Sequence, residues 1–408
     1  MHLRPALSPA DRERALLGGA VFAVMFAQLL VYPGIDTLVT ALGAPTVLGG
    51  STLFLAVELG ASVAFVWVWG LASDARGARV PLLRAGAVLA AASYAGLAVL
   101  PQVTALPFPG ALAIRAVQGA ATIGVLSLAM TMLMDLPGGH GRNMGAAGIA
   151  IGSGTALGAP VGGLLYGRGP FVPLATAAVL ALAVVLLSTR LADRTPSGGA
   201  DAREHGGLAG VVGRVRSTPG LVVPYAFGFI DRLSAGVFAL AGTLYFRTVF
   251  ELSPAATGAM LFLFFAPFAL FQYPFGALSD RLGRARPVVL GSVGYGLGVV
   301  AVGVAPTVAL VGVAMVAVGV VGALMSPATM ALVTDLAGEA DRGVAMAGFN
   351  ATGNVGFLAG VVLAGTVADA AGFTTVFVVA GAVEIALAAV AAPAVFRLAP
   401  ARTEEPLA

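Results

Sequence analysis

The 408-residue chain contains no cysteine and no lysine, only three histidines, and few charged residues of any kind, 10% in all. The missing cysteines exclude a disulfide framework, thiolate chemistry and cysteine metal sites. His2, His140 and His205 fall in terminal or loop positions, which excludes a buried histidine site. All 22 basic residues are arginine, a bias of codon usage more than of chemistry. Without lysine there is no G-x-x-x-x-G-K-[ST] phosphate loop, which argues against a self-contained ATP-driven pump. No Ser-His-Asp set and no ligand cluster stands out either, so neither enzymatic activity nor a cofactor or metal is expected. The formal charge of +3 and the isoelectric point near 9.6 come from arginines that encode topology, and nucleic acid is not an expected partner.

What the chain has in abundance is apolar residues, at 59%, and 56 glycines. So little polar surface does not coat a water-soluble globule of this size, and lipid is the expected solvent. Glycine lets membrane helices approach one another closely. Apolar runs bounded by Pro, Gly and charge predict spans at 15–41, 47–72, 81–100, 107–134, 143–166 and 171–190. Six more follow at 221–246, 254–278, 287–305, 307–334, 343–367 and 373–397. Each is about long enough for a helix rising 1.5 Å per residue to cross a ~30 Å hydrocarbon layer. The expected fold is therefore all-α, with twelve transmembrane helices in an N-terminal bundle (1–190) and a C-terminal bundle (221–408) joined by a solvated linker (191–220) rich in charge, Gly and Ser.

Eighteen of the 22 arginines fall before the first span, after the last, or in alternate loops, whereas only Arg168 and Arg247 fall on the other side. The positive-inside rule then places both termini in the cytoplasm of a multi-pass cell-membrane protein, with an uncleaved N-terminus. The halves also repeat: G-L-A-S-D from Gly70 to Asp74 returns as G-A-L-S-D from Gly276 to Asp280, and Asp135 with Arg142 returns as Asp335 with Arg342. A parallel repeat of this kind indicates two similar bundles with a polar site between them.

The loop from Gly70 through Asp74, Arg76 and Gly77 to Arg79, and its copy from Gly276 through Asp280, Arg281 and Gly283 to Arg284 and Arg286, resemble the major facilitator signature G-x-L-a-D-r-x-G-r-k. The second copy is well kept; in the first, Ala75 and Ala78 stand at usually basic positions. In the fourth span, Arg115, Gln118 and Gly119 are similar to the R-x-x-q-G signature of that family, with Arg115 and Gln118 on one helix face. In the fifth, Gly145, Gly154, Gly158, Gly162 and Gly163 fit the glycine skeleton of the antiporter signature, with Pro160 one place beyond the usual proline. The resemblance implies the major facilitator fold, alternating access and a cytoplasmic gate. In that gate Asp74 meets the start of the eleventh helix, the basic residues Arg76 and Arg79 approach Asp135, Asp280 meets the start of the fifth helix, and Asp335 lies near Arg281 or Arg284. These residues alternatively serve only to set topology. The glycine skeleton further implies a drug or metabolite exporter driven by protons, functional as a monomer. A proton-linked importer shares the architecture, and a membrane sensor with a transporter-like fold is a further reading.

A charge at membrane depth costs roughly 2.5–3.5 kcal/mol or more, so each one implies pairing, an aqueous cavity or function. Counting residues from the span ends puts Glu58, Asp231 and Glu384 about 15 Å deep, with Arg115 somewhat shallower and Asp36 near the outer end of the first helix. Gln28, Tyr32 and Asp36 share one stripe, bent at Pro33-Gly34, and Met346, Asn350 and Asn354 repeat the spacing in the eleventh span. Asp231 and Arg232 are adjacent and so diverge by about 100° around their helix. Burial disfavours a carboxylate's charge and a nearby Arg favours it, a balance that suits Glu58 or Asp231 to carry a coupling proton with Arg115 modulating it; a structural ion pair is the alternative. Asp74→Asn is expected to abolish transport while membrane insertion and abundance stay normal, which flux and expression assays on the same cells check; unchanged flux counts against the gate.

Overall fold

A computed structural model describes residues 8–193, 207–338 and 341–398. Arg4, His2, Arg194, Asp201, Arg203, Glu204, His205 and Arg402, which entered the reading of termini and linker, lie outside these residues. Those described form helices joined by turns and loops, with no strand among them. We number the membrane helices α1 (Pro9–Ala41), α2 (Val47–Arg76), α3 (Val80–Val103), α4 (Phe108–Met134), α5 (His140–Tyr166) and α6 (Val172–Ser188). Then come α7 (Pro219–Thr248), α8 (Pro254–Leu282), α9 (Ala285–Val304), α10 (Val308–Ala337), α11 (342–371) and α12 (373–398). The last two run on at Gly372, whose φ of 79° breaks the helix. These twelve helices form the two bundles of a polytopic membrane fold.

Local chemistry sets the boundaries. The hydroxyls of Ser8, Thr46 and Thr307 cap α1, α2 and α10 by accepting N–H bonds from Asp11, Gly49 and Leu310 at 3.2, 3.2 and 3.4 Å. Prolines in the first turn of α1, α3, α4 and α6 occupy positions whose N–H has no helical partner. Gly77, at φ 59°, closes α2 in the left-handed conformation that its loop requires, and Gly283 does the same after α8 at φ 81°. Two helices are irregular within the span. Pro33 and Gly34 convert one turn of α1 to a 3-10 turn at Tyr32–Gly34, and Phe238–Gly242 of α7 form a π turn.

By its internal contacts the chain forms two compact units, 1–203 with 251–259, and 204–250 with 260–408. The start of α8 thus groups with the first unit. In the first unit, α1, α3, α4, α5 and α6 share a core that includes Leu17, Leu83, Val125, Leu133 and Val184. In the second, Phe227, Val288, Leu332 and Ala388 join α7, α9, α10 and α12. The segment expected to be solvated linker contains a helix, Gly207–Ser217, that belongs to the second unit. Val215 packs on a core of Leu221, Tyr225, Val333, Ala345 and Phe349, and Arg214 pairs with Asp341 at 2.7 Å. An apolar face spaced for one short helix finds cover there, which charge and glycine content alone did not reveal.

Glycine decides where helices cross. A Cβ on Gly158 or Gly162 of α5 would meet the backbone of Phe26 or Leu30 in α1, and one on Gly356 or Gly360 of α11 would meet Phe229 or Leu233 in α7. Gly119 of α4 faces the backbone of Glu58 in α2, and Gly319 of α10 faces that of Phe264 in α8. The two units therefore repeat the same close crossings, in keeping with close packing of small residues between membrane helices. Gly162→Val is expected to force α5 off α1 and destabilise the protein by about 1–3 kcal/mol. Gly145→Ala, at a position with no neighbour within 4 Å, should be neutral; the two melting temperatures in detergent make the comparison.

Candidate functional site

In the first unit, the close crossing of α2 and α4 at Gly119 brings Glu58 and Arg115 side by side, 2% and 0% exposed. One guanidinium Nη donates to Glu58 Oε2 and the other to Gln118 Oε1 at 2.6 Å. Gln118 Nε2 in turn reaches Tyr94 Oη at 3.0 Å and Thr122 Oγ1 at 3.2 Å. The Arg115 plane lies over the Phe54 ring, 4.3 Å from its centroid, and its Nε has no hydrogen-bond partner. The ring's negative face offsets part of that loss. Every polar group around Glu58 thus comes from helices fixed in a packed bundle, so the carboxylate is held on both sides. Nearby on α1, Gln28 donates to the Tyr32 hydroxyl at 3.1 Å, while Asp36 sits half-buried one turn further on. Tyr166 donates to the Val31 carbonyl at 2.7 Å and fills the space that Gly34 leaves open.

The second unit handles charge differently. The offset of 206 residues that relates Asp74 to Asp280 takes Glu58 to Phe264, and the 200 that relates Asp135 to Asp335 takes Arg115 to Met315. Apolar side chains thus stand at the α8–α10 crossing where the first unit has its ion pair. The buried acid lies elsewhere: Glu384 of α12 is 0% exposed, takes a hydrogen bond from Ser292 of α9 at Oε1, and has the Ser234 hydroxyl of α7 at 3.5 Å from Oε2. Gly296 and Gly381 allow the close α9–α12 approach that puts it there. Asp231 is half-buried; Arg232 is exposed, its stem over Gly353. Asn350 is exposed and Asn354 half-buried. Among the described residues no group of His, Asp and Glu is arranged to hold a metal ion.

At the arginine-rich ends, Arg79 pairs with Asp135, and the backbone N–H groups of Arg79 and Val80 both donate to the Asp193 carboxylate at 3.2 Å. An acid there also complements the positive start of α3. Asp74 and Arg76 are exposed. In the repeat, Arg284 bridges Asp280 in its own loop and Asp335 of α10, the latter at 3.1 Å, while Arg281 is exposed. Partial burial works against the Arg284 charge, but its bonds to Asp280 and Asp335 outweigh that and hold its pKa above the ordinary value. A third network had no counterpart in the motifs. Arg14, mostly buried, pairs with Asp11, donates from Nε to Asn143 at 2.9 Å and reaches the Pro137 carbonyl at 2.6 Å, and Arg142 joins Asp11 at 2.8 Å. Arg14 reads as a topological charge in a sequence because its partners outside its own helix are 123 and 129 residues away. The glycines Gly154, Gly158 and Gly162 all line the α1 face of α5; Gly163 faces the backbone of Pro254 and Ala255, and Pro160 sits within the helix.

Residues 224–408 match the Major Facilitator Superfamily model. The matched segment lies mainly in the second unit and makes up just under half of the chain. Its fold is similar to that of a D-xylose-proton symporter (TM-score 0.73, 18% identity, 96% of this chain and 98% of that one). It is also similar to the human organic anion transporter MFSD10 (0.67, 19%, 94% and 99%) and to a bacterial homologue of the human lysosomal transporter Spinster (0.69, 12%, 96% and 98%). Arg115→Leu strands Glu58 in a buried site and is expected to cost about 3–5 kcal/mol. Adding Glu58→Leu should recover most of that, which thermal unfolding of the single and double variants checks.

Proposed function

We propose that this chain is a major facilitator transporter that exports a small organic solute from the cytoplasm across the cell membrane in exchange for protons, by alternating access of its two bundles. The observation that carries the export reading is the glycine face of α5. Gly154, Gly158 and Gly162, which fit the antiporter skeleton, are the residues that let α5 lie on the α1 backbone. A flat contact of small residues permits one helix to tilt or slide on another without unpacking large side chains. In the gating part of this reading, Arg79 with Asp135 and Arg284 with Asp280 and Asp335 hold the cytoplasmic loops of each bundle in shape, and Asp74 and Asp280 meet the partner helices as the access route closes.

Proton coupling draws on the intramembrane acids. Glu58 has a fixed cationic partner, so its proton exchange requires Arg115 to shift toward Gln118; Asp231 keeps partial exposure and exchanges more freely. Asp36, Arg232, Asn350 and Asn354, each at least partly exposed, are suited to line the solute route. The symport named for the D-xylose relative runs on the same fold, so direction is the critical measurement. Purified protein in liposomes, given an imposed pH gradient and a panel of fluorescent organic cations and anions, should move at least one probe against the proton flow. Co-directional movement identifies an importer, and no movement of any probe removes the proton-driven reading. Glu58→Gln and Asp231→Asn, alone and combined, should lose gradient-driven flux; preserved flux in the double variant excludes both acids as coupling groups.

A further inference from the structure

Glu384 is the one acid at membrane depth that the coupling scheme leaves without a task. Its environment is unlike that of Glu58. Among the described residues no arginine reaches it, its side chain is wholly buried, and its hydrogen-bond partners are the Ser292 and Ser234 hydroxyls. An isolated carboxylate placed out of water without a countercharge is very costly, and two hydroxyls replace only part of its hydration. A neutral carboxylic acid fits the same space with one hydrogen to donate and an oxygen to accept, which two hydroxyls can satisfy.

The route to that acid runs along α7. Ser234, beside Glu384 Oε2, stands three residues after Asp231 and so on the same helix face. Asp231 and Glu384 are within electrostatic reach of each other, and both act on Tyr295 of α9, which packs against Gly322 of α10. Arg232, the charge next to Asp231, lays its stem over Gly353, is exposed, and acts electrostatically on Asp231. Of the other ionisable residues of the surrounding helices, Arg247, Arg286, Asp335, Arg342, Asp369 and Arg397 occupy helix ends, and Tyr225 and Tyr245 of α7 donate to the Ala345 and Gly303 carbonyls. Asp231, half-buried, therefore shares a face of α7 with the serine that touches a fully enclosed acid.

We propose that Asp231 and Glu384 form a two-carboxylate proton relay inside the second bundle, with Glu384 as the enclosed store and Asp231 as its port. This rests on the proton-coupled reading above and deepens it. One proton is held by the pair. When it leaves the Glu384 carboxyl for the Asp231 carboxylate, the negative charge passes to Glu384, and release from Asp231 to water follows only when solute or gate movement opens that side. While the two acids share one proton the bundle carries a single negative charge, and the second charge arises only on release from Asp231 to water. Glu58, clamped by Arg115, keeps its charge balanced without such a store.

The test is infrared spectroscopy of the purified protein, independent of any solute. Wild type at neutral pH should show the carbonyl band of a protonated carboxylic acid, shifting slowly on transfer to deuterium oxide. Glu384→Gln should delete that band, Ser292→Ala should move it by removing one hydrogen bond, and Asp231→Asn should keep the band but slow its deuterium shift. Absence of the band in wild type overturns the proposal, as does a band that survives Glu384→Gln or exchanges as fast in Asp231→Asn as in wild type. If Glu384→Gln fails to fold, the Ser292→Ala shift decides the assignment. Should the bands behave as expected while liposomes show no proton-driven flux, the relay stands and the transport reading fails; the reverse pattern removes the relay alone.

Discussion

The crossing of α2 on α4 at Gly119 is the contact on which the charged centre of the first bundle depends. Because glycine places no Cβ between the helices, the Glu58 backbone lies against α4. The carboxylate is thereby delivered to the side chain of Arg115, a turn away on the same helix, and to Gln118. A larger residue at that point would separate the helices and leave two charged groups apart in a medium that solvates neither. Backbone proximity and electrostatics are therefore one constraint here: the gap that glycine closes is the distance across which the ion pair forms.

The second bundle keeps the crossing and discards the charge. Gly319 meets Phe264 as Gly119 meets Glu58, but the arginine position holds Met315, and the bundle's enclosed acid is moved to α12 between Ser234 and Ser292. Duplicated packing with divergent polar chemistry is what a repeated scaffold permits, since the glycines fix helix geometry and the larger side chains are free to differ. The same division is seen at the arginine-rich ends. Gly77 and Gly283 both turn left-handed after their helices, yet Arg79 works with Asp135 and Asp193 whereas Arg284 serves Asp280 and Asp335 together.

Much of this was legible in the linear chain for definite reasons. Hydrocarbon thickness fixes the length of an apolar run, so twelve spans could be counted, although the helices overshoot them: α1 begins at Pro9 and α2 runs to Arg76. Arg115 and Gln118 were readable as neighbours because helical spacing places them on one face. What lay beyond reading was any contact between helices. Arg14 looked like one more topological charge until Asn143 and the Pro137 carbonyl closed around it, and nothing near Glu384 in sequence announces Ser234, 150 residues earlier, or Ser292, 92 residues earlier.

By itself, then, the sequence determined the apolar character of this protein, the number of its long apolar helices, its internal repeat and which few charged residues would lie within them. These are local or compositional properties, set by hydropathy, helical period and backbone freedom at glycine. The tertiary structure decided which charges meet: Glu58 with Arg115, Arg284 with two acids, and Glu384 with hydroxyls only. Partner choice depends on where helices cross, and a crossing is fixed by the fit of two surfaces that no single stretch of chain contains.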